Sequence, residues 1–192
     1  MDTAIALSAS DVSQALESTT LVCVIGAECT GKTRLTQALA RHFSGLFVPE
    51  YLRAFCSDRG RTPDREEQSL ILQTQVQYEE TSWAQARSQS MHHVFCDGAA
   101  LLTAIYSQHY FADSSLLTRA RALHQRYALT LLLEPDVPWV ADGFVRDGEQ
   151  VQAAVHSLLL AELLGRYACV RIRGTGALRL QAAVQAVQAI AH

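Results

Sequence analysis

At 192 residues, with 49% hydrophobic and 18% charged residues and a formal net charge of −3, the chain has the composition of one soluble globular domain with a core of its own. The acidic balance argues against a general nucleic-acid binder, which would carry a basic face, and no apolar run approaches the roughly 18 residues of a membrane helix. The five cysteines are odd in number and include no C-x-x-C pair, which suggests neither a disulfide framework nor a zinc site.

Residues 1–20 lack the basic start and apolar stretch of a signal peptide. They are expected to form a flexible or loosely docked extension ahead of a single domain over 21–192. Apolar runs predict five strands, at Leu21–Ile25, Leu46–Val48, His93–Cys96, Leu129–Leu133 and Ala168–Ile172. The runs are continuous rather than alternating, as in parallel strands covered on both faces. Cys23, Cys96 and Cys169 fall inside them and are expected to be small core residues, which points to a reduced, cytoplasmic setting.

Helices are predicted at Thr33–Phe43, Glu66–Ser90, Ala99–Tyr110, Ser114–Tyr127, Glu149–Leu164 and Ala177–Ala191, the last two from stripes such as Val151, Val155, Leu159 and Leu180, Val184, Val187. Cys56–Arg65 and Glu134–Asp147 carry Pro, Gly and charge and are expected to be loops. Strand alternating with helix argues for a doubly wound α/β sheet.

Between the first strand and the first helix stands Gly26-Ala27-Glu28-Cys29-Thr30-Gly31-Lys32-Thr33, followed by Arg34. It fits G-x-x-x-x-G-K-[ST], the pattern of a loop whose backbone amides wrap a nucleotide's phosphates. Among the 16 basic residues Lys32 alone is lysine. An ammonium is a mobile point charge that can follow terminal phosphates, where a planar guanidinium would not substitute freely. The helix N-terminus beyond it favours anions, and Thr33 would place its hydroxyl on Mg²⁺.

Asp97 ends the third strand, where ligands of open α/β sheets gather. It is a candidate to hold Mg²⁺, or else a cap for the next helix. Glu50 ends the second strand. It is a candidate base for a substrate hydroxyl, or else a first-turn glutamate favouring its helix dipole. Tyr51 is placed to stack on a substrate ring or to pack, and Arg53 follows it. In the segment 138–147, Arg146 is a candidate to neutralise charge in transfer, Trp139 to cover a flat ligand and Asp142 to bind a ribose hydroxyl. Solvated charges and a tryptophan covering the sheet edge are the plainer alternatives. Tyr106, His109 and Tyr110 line a pocket or the core, and His92-His93 reads as a core or surface pair.

With these pieces in place, the chain resembles the nicotinamide riboside kinase family, the kinase domain of NadR-type proteins and its stand-alone relatives. The matching parts are GAECTGKT at 26–33, PEYLRAF at 49–55, Thr62-Pro63, Ile71, Gln75 and Glu79, FCD at 95–97 with Leu102-Thr103, and PWVADGFVR at 138–146. The resemblance runs from about residue 20 to 190. It implies a P-loop kinase fold with a five-stranded parallel sheet, helices on both faces and a small lid segment. It also implies ATP and Mg²⁺ as cofactors, and transfer of the γ-phosphate to the 5′-hydroxyl of nicotinamide riboside. By position, Lys32 and Thr33 would serve ATP and metal, Glu50 and Asp97 the reacting hydroxyl or metal, and Trp139, Asp142 and Arg146 the substrate and lid. Two departures stand out: Asp97-Gly98-Ala99 where family members often carry Asp-Thr-Asp, and one extra residue between Gly143 and Arg146.

The sequence reading is therefore an ATP-dependent kinase of a small nucleoside-like alcohol. Its partners would be nucleotide and small-molecule substrate, with no nucleic acid and no membrane; a homo-oligomer is compatible with it. The rivals are a kinase for another metabolite and a regulatory NTPase acting through a protein partner. The Asn-Lys-x-Asp motif of the common GTP switches cannot be built, because no second lysine exists.

Overall fold

Five parallel strands in the order β2-β3-β1-β4-β5 form one sheet in the computed structural model, which describes residues 19–137 and 148–190. The strands are β1 (Thr20–Ile25), β2 (Leu46–Val48), β3 (His93–Asp97), β4 (Tyr127–Leu133) and β5 (Cys169–Ile172). The helices among the described residues are α1 (Lys32–His42), α2 (Tyr51–Arg59), α3 (Gln68–Ser88), α4 (Ala100–Phe111), α5 (Leu117–His124), α6 (Gly148–Leu163) and α7 (Gly176–Gln188). This is an α/β P-loop kinase-like fold. The expected lid at 138–147 lies outside the described residues. None of the described helices is long and apolar enough to cross a membrane.

Alternation along each strand divides the core in two. Leu21, Cys23 and Ile25 of β1 join Val94 and Cys96 of β3 on one face, under Leu72 of α3, Leu101 and Ile105 of α4 and Val155 and Leu159 of α6. Val22 and Val24 join Phe95 and Leu131 on the other, under Leu35 and Leu39 of α1 and Ala183 and Val187 of α7. A register shift between Leu21 and Val22 opposite β4 puts Tyr127 on the first face although Leu129 faces the second.

Several expectations need correction. The loop expected at Cys56–Arg65 is helical through Arg59: α2 packs Phe55 and Cys56 against Ile71, and Gly60, in left-handed backbone with φ 66°, closes it with a bond to Cys56 O at 2.9 Å. α3 begins at Gln68 rather than Glu66: residues 65–67 form a turn, with Gln68 N–H bonded to Arg65 O at 3.4 Å, and Asp64 and Glu67 cap each other's backbone N–H groups at 3.1 and 3.0 Å. The segment 114–127 yields only the short α5, and Tyr127 already belongs to β4. β5 is an edge strand, so Cys169 and Val170 are not fully covered as the core expectation required.

His124, at the end of α5, is 1% exposed, with Nε2 and the Thr130 hydroxyl 2.9 Å apart. Burial, with the neighbouring Arg126, pushes its pKa down to about 4. The fold thus favours neutral imidazole, and the unfolded chain takes up the extra proton. The stability this represents is full above pH ~6.5 and lost as pH falls toward 4, about 3 kcal/mol in all. Urea unfolding at pH 7 and pH 4.5 is expected to show that loss in the parent and a visibly smaller one in His124→Gln; equal losses would remove His124 from the acid response.

Candidate active site

The chain leaves the sheet at Gly26, where a Cβ would sit 2.8 Å from Thr30 Oγ1 and 3.1 Å from Leu133 Cβ. No side chain fits there. Cys29 and Gly31 both take left-handed backbone, at φ 57° and 81°, and turn the loop back to begin α1. Glycine does this without strain and cysteine does not. The Thr30 hydroxyl donates to Ala27 O at 2.8 Å. Lys32 Nζ, 8% exposed as a residue, reaches back to the same carbonyl at 3.1 Å. α1 has no side-chain cap and no acidic residue in its first turn, so its N-terminal dipole meets no opposing charge of its own.

Thr33 and Asp97 come together across β1 and β3: the threonine hydroxyl donates to Asp97 Oδ2 at 2.5 Å. Asp97 is 1% exposed, and its Oδ1 is buried with no hydrogen-bond partner among the described residues. Burial raises its pKa, while Lys32, the Thr33 hydroxyl and Arg53 pull the other way. Beside this pair opens a cavity of about 980 Å³ between α1 and the turn into α7. Lys32, Arg34, Arg41, Arg53 and Arg179 line it with no acidic residue among the described lining, in a chain whose net charge is negative. Val137, Thr175, Gly176 and Ala177 close its far wall.

The opposite side of the loop is acidic and aromatic. Glu50 precedes α2 in extended backbone, and a Cβ built on Gly98 would lie 3.7 Å from its Oε1. Tyr106 is buried, and after burial itself the carboxylates of Glu50 and Glu28 are the main causes raising its phenol's pKa. Tyr110 OH donates to Glu28 Oε1 at 3.4 Å, and its ring centroid lies 6.1 Å from that of Tyr106. Tyr51 packs edge-on to Tyr78 at 5.5 Å, which fits the packing alternative. His93 Nδ1 is 2.8 Å from the Thr20 hydroxyl, away from this site.

A relay missed by residue-level reading fixes the start of α2. Tyr51 N–H donates to Gln75 Oε1 at 2.8 Å, and Gln75 Nε2 donates to Glu79 Oε1 at 3.1 Å. Glu79 also accepts from Tyr127 OH at 2.7 Å and from Arg126. Burial pushes Glu79 up and these donors pull it down; with every partner a donor, the carboxylate is the form that satisfies them. The resemblance had singled out Gln75 and Glu79 without a role. Arg179, a cation in the first turn of α7, was also missed. Its signal was its position, since a helix N-terminus disfavours positive charge unless acceptors hold it. Trp139, Asp142 and Arg146 lie outside the described residues.

A family model described as an AAA domain matches residues 21–179. A search of the curated proteins finds no match. Among solved structures, NadR protein in complex with NR is similar at TM-score 0.76 and 23% identity, over 94% of this chain and 54% of that one. NadR protein in complex with NAD and AMP-PNP is similar at TM-score 0.74 and 21% identity, over 94% and 52%. Deoxyadenosine kinase from M. mycoides, with products dCMP and dCDP bound, is similar at TM-score 0.59 and 8% identity, over 88% and 99%. The chain thus spans about half the length of the NadR structures. At these identities the likeness is one of fold.

Proposed function

The chain belongs to the AAA domain family, and we propose that it is an ATP-dependent kinase acting on a nucleoside-like alcohol, with nicotinamide riboside as the favoured acceptor. The observation that carries this reading is the two-sided site: a cavity whose described lining carries only basic charge, and a separate cluster in which the Glu28 and Glu50 carboxylates act on Tyr106 and Tyr110 bonds Glu28. The first suits a polyphosphate. The second suits an uncharged or cationic ring; a pyridinium gains from both the carboxylates and the aromatic faces. Similarity to NadR proteins bound to NR and to AMP-PNP supports the same pairing.

The loop 26–33 and Arg34 would hold the phosphates of ATP, with Lys32 leaving Ala27 O to meet the terminal ones. Thr33 and Asp97 fit a magnesium ion with its water shell, because the buried Asp97 Oδ1 has bonding capacity that no described residue uses. Bound there, magnesium supplies charge neutralisation between the phosphates. The acceptor oxygen forms its bond to the γ-phosphorus as the bond to the β,γ-bridging oxygen breaks, and ADP leaves with that electron pair. Glu50, held at the start of α2 by the Gln75–Glu79 relay, accepts the hydroxyl proton. Tyr51 and Arg53 flank it. Trp139 and Asp142 are assigned to the substrate and Arg146 to the transferring phosphate.

ADP release across an acceptor panel tests this. Nicotinamide riboside is expected to stimulate turnover well above its reduced, neutral form and above adenosine or cytidine. Glu50→Gln is expected to lower kcat by roughly 10²-fold with little change in the KM for ATP. A flat ATPase rate whatever acceptor is added would instead favour the regulatory NTPase, and stimulation by another alcohol would move the assignment to that acceptor.

A further inference from the structure

Two peptide carbonyls of the 26–33 loop are gripped by side chains from the far end of the chain. Gln152 Nε2, on α6, donates to Glu28 O at 2.7 Å across a sequence separation of 124. Arg179 Nη1, on α7, donates to Thr30 O across a separation of 149. Arg179 is 5% exposed. Its Nη2 donates to Glu134 O at 3.0 Å and to the Asp136 carboxylate, which itself accepts from Gly174 N at 2.7 Å. One planar guanidinium therefore ties the loop to the segments leaving β4 and β5.

A trans peptide is planar, with its C=O and N–H pointing opposite ways. Holding Glu28 O on one side turns Cys29 N–H to the other, and holding Thr30 O does the same for Gly31 N–H. Cys29 and Gly31 are the loop residues in left-handed backbone, so a flip of either peptide would aim a carbonyl oxygen where a phosphate oxygen has to sit. We infer that Gln152 and Arg179 are positioning residues: they hold the Cys29 and Gly31 amides facing the cavity, so the loop is shaped for polyphosphate before nucleotide arrives. This rests on reading residues 26–33 as a phosphate site.

The test compares ATP with adenosine, which lacks phosphates, in the full chain by calorimetry. Gln152→Leu keeps bulk and removes the donor. Arg179→Lys keeps the charge and removes the fork, so a loss there cannot come from long-range attraction. Each is expected to weaken ATP by about tenfold, as for loss of one well-placed hydrogen bond, and adenosine by less than about twofold. Millimolar guanidinium is expected to restore part of the ATP affinity of Arg179→Ala and none of that of Lys32→Ala. ATP affinity unchanged in both variants, or ATP and adenosine weakened in parallel, would overturn the positioning role. If an Arg179 variant fails to fold, Gln152→Leu decides alone. Absence of ATP binding in the parent protein would overturn the phosphate-site reading itself, and the positioning role with it.

Discussion

Lys32→Ala is expected to lower kcat/KM for ATP by roughly 10²–10³-fold, the loss typical when one preorganised charge donor is removed from a transferring group. The side chain is nearly buried, its ammonium lies against Ala27 O, and its charge acts on Asp97. No other lysine exists to take its place. The arginines lining the cavity cannot follow a phosphate through transfer in the same way, because a guanidinium is a rigid planar fork. Steady-state kinetics with the acceptor saturating would measure the effect. Retention of near-normal turnover would mean the loop does not act on phosphates. Melting curves of the variant serve as the folding control, since among the described residues the Lys32 side chain makes one hydrogen bond, to Ala27 O, that water could replace.

Asp97→Asn is expected to separate stability from activity. Burial raises the Asp97 pKa, so ionisation costs the folded protein stability as pH rises from the ordinary carboxylate range through the raised value. A neutral isostere removes that cost, and at pH 7 the variant is expected to melt higher than the parent. The same change removes the charge that would face magnesium, and kcat is expected to fall by at least roughly 10²-fold. Thermal melts and kinetics at saturating magnesium provide both readings. A variant that is destabilised yet active would show Asp97 to be a structural carboxylate that holds Thr33, since no side chain caps α4.

Local sequence revealed the parts of this molecule that local chemistry determines. The strands were legible because Leu21–Ile25 and Leu129–Leu133 are continuous apolar runs, and a covered parallel strand needs nothing else. The loop was legible because Gly26 and Gly31 answer to sterics, one to the space beside Thr30 and Leu133 and the other to its φ of 81°. Asp97 was singled out because strand ends collect ligands. α2 was missed because its nine residues are too short a window to show a helical period, and a tertiary contact through Phe55 and Ile71 stabilises it. Gln152 was beyond sequence reasoning, and Arg179 carried only its odd place in a helix's first turn: their loop partners lie 124 and 149 residues away, and nothing in a helical stripe marks which polar residue will turn inward. The Gln75–Glu79 pair was visible only as resemblance, since its meaning depends on Tyr51, Arg126 and Tyr127 arriving from other elements.

Titration of ATP with magnesium into the purified chain, followed by calorimetry, bears most directly on whether residues 26–33 grip a polyphosphate. One site per chain is expected, with a Kd within the roughly 1 µM–1 mM range usual for enzyme substrates, weakening from ATP to ADP to AMP. A folded protein that gave no heat with any purine triphosphate would contradict it.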